Sequence, residues 1–385
     1  MKLWPLFIFW CLWFLNYCSR ALLSPLLPVI EDSLSLSHGQ AGGLFTSLSI
    51  GYGISLFFAG RLASAWGYKR MVVFGFIAGG IALSALQWAD TYLALHVISL
   101  LMGLALGNYI PSVIPIITEM VDQKHWGKTI ALHDSAASFA LFAAPILAAL
   151  GLHFFSWKRL YLILGMACFL LPIYFWRIAV EPKKHTIQET VRYGDVFRNK
   201  TVWIMGLLWI VSNMFCNGIF AILPLYLVKE RGIDFDYANT LIGISRAGGI
   251  FVTILSGYLA DRFGYRKILM MSIFATGLST IAMALVHPLP LLLFILIFQA
   301  IVSLAFFPIA LAAVSKLTSP AERSTVTGVV LSIGVMFGSG TSPFLLGTIA
   351  DHLSFQVGIL GVGIVTTFSC LLVRLLKEAG AVQDN

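Results

Sequence analysis

The sequence predicts an all-α membrane protein with twelve transmembrane helices in two pseudo-symmetric six-helix bundles. Three observations carry that expectation. Mean hydropathy is +0.90 and only 11% of residues are charged, against about a quarter in soluble domains. Glycines, prolines and charge clusters divide the apolar chain into twelve stretches close to the roughly 20 residues that cross a bilayer. One long polar segment separates the first six from the last six.

The first stretch, residues 4–28, follows Lys2, yet it is too long for the apolar core of a signal peptide and no small-x-small site follows it, so it is read as a spanning helix. The next five are 40–60, 71–89, 91–117, 127–152 and 158–178. The second half repeats the plan with 201–228, 238–260, 267–286, 289–316, 323–350 and 354–376. This gives an N-terminal bundle (1–178), a polar linker (179–200) and a C-terminal bundle (201–385).

Charge orients the helices. With the N-terminus in the cytoplasm, nineteen lysines and arginines fall inside and four (Lys158, Arg159, Lys229, Arg231) outside, which predicts that both termini are cytoplasmic in a bacterial inner membrane. The formal charge of +8 is therefore a topological signal, and no nucleic-acid partner is implied. The five cysteines lie in apolar runs without metal-like spacing and read as small core residues. No phosphate-cradling Gly-Lys-Ser/Thr loop is present, so neither ATP-driven transport nor a cofactor is expected. No catalytic constellation is legible and an enzyme is not expected.

A charged loop after the second helix of each half provides the internal repeat. GRLASAWGYKR at 60–70 and GYLADRFGYRK at 257–267 match at an offset of 197. Repeats of this kind mark carriers whose site lies near the midplane between them. The second copy, with Gly257, Asp261, Arg262, Gly264 and Arg266, resembles the G-x-L-A-D-R-x-G-R-K/R-K/R loop of the major facilitator superfamily. The resemblance extends over the whole chain. It implies two rocking bundles, and it implies that Asp261, Arg262 and Arg266 belong to a cytoplasmic gate. Asp261 is expected to accept from the amides that start helix 11. In the first copy Ser64 and Ala65 replace the aspartate and arginine, so the two halves are not expected to latch alike.

Two basic residues remain inside the spans, Arg20 in helix 1 and Arg246 in helix 8. Burying a guanidinium costs about 2.5–3.5 kcal/mol even on lenient scales, and its planar fork suits a carboxylate, phosphate or sulfonate. Both are expected to face one cavity and bind an anion. The alternative is that each only secures helix packing. Asn16-Tyr17-Cys18-Ser19-Arg20 is similar to the N-Y-x-D-R segment of the anion:cation symporter branch, which implies an organic-anion role for Arg20, with Ser19 standing where the aspartate would be. Tyr52, Asn213 and Asn217, with Asn16 and Tyr17, are the expected polar lining. Asp134 and His133 are candidates for carrying a coupling proton, or else for helix packing.

These residues predict a carrier in the lipid bilayer with a small-molecule anionic substrate and a proton or other coupling ion. The alternative is a proton-driven exporter of drugs or other amphipathic compounds. A third reading, a membrane sensor that has kept the fold, is disfavoured by the intact gate residues.

Overall fold

The structure is a computed structural model that describes residues 3–122, 125–182, 193–318 and 322–376, and among these it contains helices and no strands. Twelve crossings follow one another: α1 (Trp4–Leu34), α2 (His38–Trp66), α3 (Tyr68–Trp88), α4 (Tyr92–Met120), α5 (Trp126–Leu152), α6 (Trp157–Ile178), α7 (Lys200–Glu230), α8 (Phe235–Arg246 and Gly249–Phe263), α9 (Tyr265–Leu285), α10 (Leu289–Val314), α11 (Thr325–His352) and α12 (Phe355–Leu375). Eleven of them are long and apolar enough by themselves to cross a membrane. The exception, α8, is interrupted at Ala247 and Gly248, directly after the arginine that lowers its hydropathy. A short helix, Tyr193–Arg198, precedes α7, while most of the expected linker lies outside the described residues.

Small residues bring these helices together, as expected where lipid removes any hydrophobic drive between them. A Cβ on Gly103 of α4 would lie 2.1 Å from the Leu48 carbonyl of α2, and one on Gly51 would lie 2.2 Å from the Leu100 carbonyl. Between the halves, α2 packs on α11 in the same way, with the Gly42 backbone against Pro343 and Gly53 against Met336. Gly243 of α8 meets Phe142 and Ile146 of α5. All five cysteines are free thiols, four of them buried.

Two expected boundaries move. Helix α1 does not stop at Pro28 but carries it inside the helix and runs to Leu34, so Glu31 and Asp32 ride on its last turn. The repeated segment is not a loop. Each copy continues its helix to Trp66 or Phe263, and a single glycine turns the chain, Gly67 at φ +114° and Gly264 at φ +86°. That backbone region is open to glycine and strained for residues with a Cβ, so one residue does the work of a loop.

Contacts between the halves gather at the end of the bundle opposite the chain termini. There Lys229 pairs with Asp32 at 2.5 Å, the Ser24 hydroxyl donates to the Phe220 carbonyl at 2.6 Å, and Thr46 donates to the Gly340 carbonyl at 2.7 Å. Toward the termini end the halves part. Around Gly60 of α2 and Gly328 of α11, a Cβ would meet no described atom within 4 Å. The two bundles thus form a wedge, closed at the far end and open at the termini end.

Candidate functional site

Helical periodicity decides which residues face the wedge. On α1 the lining residues are Trp13, Tyr17, Arg20 and Ala21, and on α7 they are Trp209, Asn213, Cys216, Asn217 and Phe220. The first four of each set coincide at an offset of 196, so the pseudo-symmetry noted in the sequence places equivalent turns on opposite walls. Phe45, Ser49 and Tyr52 of α2, Asp134 and Ser138 of α5, Phe307 of α10 and Ser339 of α11 help to complete a cavity of about 440 Å³. That is the size of a small-molecule site.

Charge in this cavity is one-sided. Among its described lining residues only Arg20 and Asp134 are ionisable as cation and acid, and both belong to the N-terminal half. The position on α7 equivalent to Arg20 is Cys216. Three aromatic faces hold the Arg20 guanidinium, with its carbon 4.2 Å from the Tyr52 ring centre, 4.7 Å from Tyr17 and 5.9 Å from Trp13. Each such contact contributes about 0.5–2 kcal/mol, enough together to offset the insertion cost. Among the described residues no carboxylate pairs with it, and its Nε and Nη2 are buried without a hydrogen-bond partner. A charge-assisted bond to an incoming acceptor is the interaction this side chain lacks.

Asp134 accepts from the Trp13 indole at 3.2 Å and is exposed, its carboxylate opening into the cavity. One indole thus touches both charged groups, and no ion pair joins them. His133, the adjacent residue, faces elsewhere. It is buried, stacked on Trp13 and Tyr109, and bonded through Nε2 to the Tyr109 hydroxyl at 3.1 Å. That hydroxyl also donates to the Phe9 carbonyl. Having one proton, it then accepts from His133 Nε2.

Across the cavity the polar groups are neutral and linked. Asn217 donates to the Asn213 side-chain oxygen at 2.8 Å, Ser339 donates to the same oxygen at 2.9 Å, and Asn213 donates to the Trp209 carbonyl. The expected lining residues Tyr17, Tyr52, Asn213 and Asn217 therefore meet here, joined by Trp13, Trp209 and Ser339, which sequence reasoning missed. The recurrence of tryptophan at 13 and 209, one offset apart, was the signal that could have found the first two.

Two expected substrate-facing residues do not reach this cavity. Asn16, at the edge of the lining stripe of α1, is fully buried against α4, where its amide donates to the Leu106 carbonyl at the break in that helix. Arg246 is 3% exposed, and its guanidinium carbon lies 4.9 Å from the Phe220 ring and beside Cys216, two residues that do line the cavity. Its Nε and Nη1 are buried without partners. The two arginines also lie at different depths, with Arg20 about 21 Å and Arg246 about 16 Å from the far ends of α1 and α8.

At the termini end Arg262 is exposed and stacks on Phe263, Arg266 lies over Tyr265, and Gly264 supplies the turn. The expectations for Asp261 and Gly257 lie outside what the structure describes. Helix α8 packs on α5 and α10. Among the described residues no cluster of three His, Cys, Asp or Glu could hold a metal.

The model of the Major Facilitator Superfamily matches residues 9–264 and again 214–384, together the great majority of the chain. The chain belongs to that superfamily. It is similar to the hexuronate transporter of Bacillus subtilis (strain 168), 24% identical over 66% of this chain and 63% of the relative. It is also similar to a Cupriavidus necator protein named "Probable sulfoacetate transporter SauU", 24% identical over 65% of this chain and 63% of that one. The chain thus spans less than two thirds of these curated relatives. Among solved structures, a bacterial homologue of the human lysosomal transporter Spinster, in an inward-facing and unoccupied conformation, superimposes with a TM-score of 0.79 at 17% identity, covering 97% of each chain. The superfamily fold accounts for the two bundles, and the multi-pass membrane setting follows from it.

Proposed function

We propose that this superfamily member is a secondary active transporter of a small organic anion, of the carboxylate or sulfonate class, working by alternating access. The observation that carries the reading is Arg20, a guanidinium held by three aromatic rings in a membrane-embedded cavity with two nitrogens unpaired. The relatives named for hexuronate and sulfoacetate carry acids by name, which supports the same class here.

Coupling to a proton follows from charge balance in the cavity. An anion approaching Arg20 is repelled by an ionised Asp134 and not by a protonated one, so protonation and anion binding favour one another. His133 supports Asp134 indirectly, by fixing Trp13 through stacking. The positive-inside distribution assigns the termini end, with Arg61, Lys69, Arg70, Arg262 and Arg266, to the cytoplasm of a bacterial inner membrane. The conformation is then the inward-open one, residues 179–200 form a cytoplasmic linker between the bundles, and Asp261, Arg262 and Arg266 with the Gly257 and Gly264 turn act at a gate that stands open. Arg246, screened by Phe220, contributes to the cavity's potential rather than by contact.

A second reading, proton-driven export of amphipathic compounds, is favoured by the aromatic share of the lining, with Trp13, Phe45, Trp209, Phe220 and Phe307 all present. Uptake of carboxylates and sulfonates into proteoliposomes, with and without a pH gradient, separates the two. Arg20→Gln is expected to reduce anion uptake at least tenfold, the loss of one charged hydrogen-bonding partner, and Arg246→Gln to reduce it less. Wild-type rates in the Arg20 variant would end the anion reading.

A further inference from the structure

The segment GTIADH, 347–352 at the far end of α11, repeats GYLADR, 257–262 at the termini end of α8, at an offset of 90. Glycine, alanine and aspartate recur in register, and His352 stands where Arg262 does. The copy at the far end is described in full. Helix α2 begins there with Ser37 as its cap, and the Ser37 hydroxyl accepts from the amide of Gln40. That cap leaves the amides of His38 and Gly39 without a partner inside their own helix. Asp351 takes both, at 2.8 Å and 2.9 Å, and also accepts from the Ser37 hydroxyl at 2.8 Å. Gly347 makes the approach possible, since a Cβ there would lie 2.2 Å from the His38 carbonyl oxygen.

Two other acids cap helix starts in the same way. Glu181 accepts from Tyr68 and Lys69 at the start of α3, and Glu230 accepts from Phe355 and Gln356 at the start of α12. Each of those joins helices of one half. Asp351 joins the two halves, and it does so where the wedge is shut. Any rocking that opens the far end must pull all three donors away from this carboxylate.

We propose that Asp351 is the latch of the far gate, an aspartate of the C-terminal half that holds the bundle closed by capping α2 of the N-terminal half. The latch rests on the alternating-access reading and not on the anion at Arg20. A carboxylate at a helix N-terminus is favoured by the helix dipole as well as by the bonds themselves, and three bonds to one side chain break together. The Lys229–Asp32 pair beside it is a single ion pair at the rim and adds less.

Spin-label distances on the full chain test this without any substrate. One pair, at Ser33 and Leu353, spans the far end, and another, at Ala65 and Thr325, spans the termini end. In Asp351→Ala the far-end distances should gain a longer component and the termini-end distances a shorter one. The ratio of far-open to far-closed molecules should rise about tenfold or more, as expected for losing charge-assisted bonds. Glu230→Ala, which removes the same kind of cap within one half, should leave both distributions as in wild type. The isosteric Asp351→Asn serves if the alanine variant does not fold. If wild type samples both forms and neither Asp351 variant shifts them, the latch is refuted while alternating access stands. Were wild type and variants all fixed in one form under every condition, both would fall.

Discussion

Arg20, Asp134 and Asn16 are polar residues inside one bundle, and their surroundings give them different work. Arg20 and Asp134 open into the cavity and share Trp13, whereas Asn16 is bonded to a backbone carbonyl and fully buried. Asn16→Ala should therefore lower stability by about 1–3 kcal/mol, the cost of leaving the Leu106 carbonyl unpaired, with the affinity for transported anions unchanged; thermal unfolding and substrate binding on the same preparation check it. Asp134→Asn should behave in the opposite way. It keeps the shape and the Trp13 bond, removes the titration, and should abolish pH-gradient-driven accumulation while leaving exchange of anion for anion across the membrane. A variant that still accumulates substrate against a gradient would exclude Asp134 from coupling. The residue types were legible in the sequence, and so was the exceptional status of Arg20. Periodicity gathers 13, 17, 20 and 21 on one side of α1 but sets 16 at the edge of the same stripe, three residues from Trp13 and four from Arg20. What periodicity left open was which face looks toward the cavity.

Helix α2 touches α4 at one edge and α11 at another, and glycines mark both. The α2–α4 contact at Gly51 and Gly103 lies within the N-terminal half and is present whichever way the bundles rock. Gly103→Val should cost more than about 3 kcal/mol, because its Cβ would overlap the Leu48 carbonyl and the backbones cannot separate without losing their packing. The measurement is the apparent unfolding temperature in detergent. Breaks and π-helical turns are a second feature of the elements. Helix α7 is wound as π-helix at Met214–Gly218 and Tyr226–Glu230, and α11 at Val335–Ser339, all close to the cavity or the far gate. Such turns are frequent at functional sites. Hydropathy alone located the crossings and erred at their ends, because a proline within a helix and a single positive-φ glycine both read as loop in a one-dimensional pattern.

Across the whole molecule, the wedge predicts that identical substitutions at the two ends of α2 act differently. Gly42→Val places a side chain against the Pro343 backbone at the closed end, whereas Gly60→Val enters open space in this form. The first should favour molecules open at the far end and the second should leave that equilibrium unchanged, as read by alkylation of single cysteines introduced on either side of the cavity. Equal reactivity in the two variants would contradict the wedge. The sequence by itself determined the class, the twelve crossings, the six-plus-six division and the pseudo-symmetry, because a bilayer admits only long apolar helices and a duplicated bundle leaves its offset in the residues. Only the tertiary structure decided that Arg20 and not Arg246 meets the cavity, that α8 lies against α5, and that Asp351 caps α2 across the two halves. Those outcomes depend on how two rigid bundles lean on one another. That lean is set by many small contacts between residues some two to three hundred positions apart, and no local pattern records it.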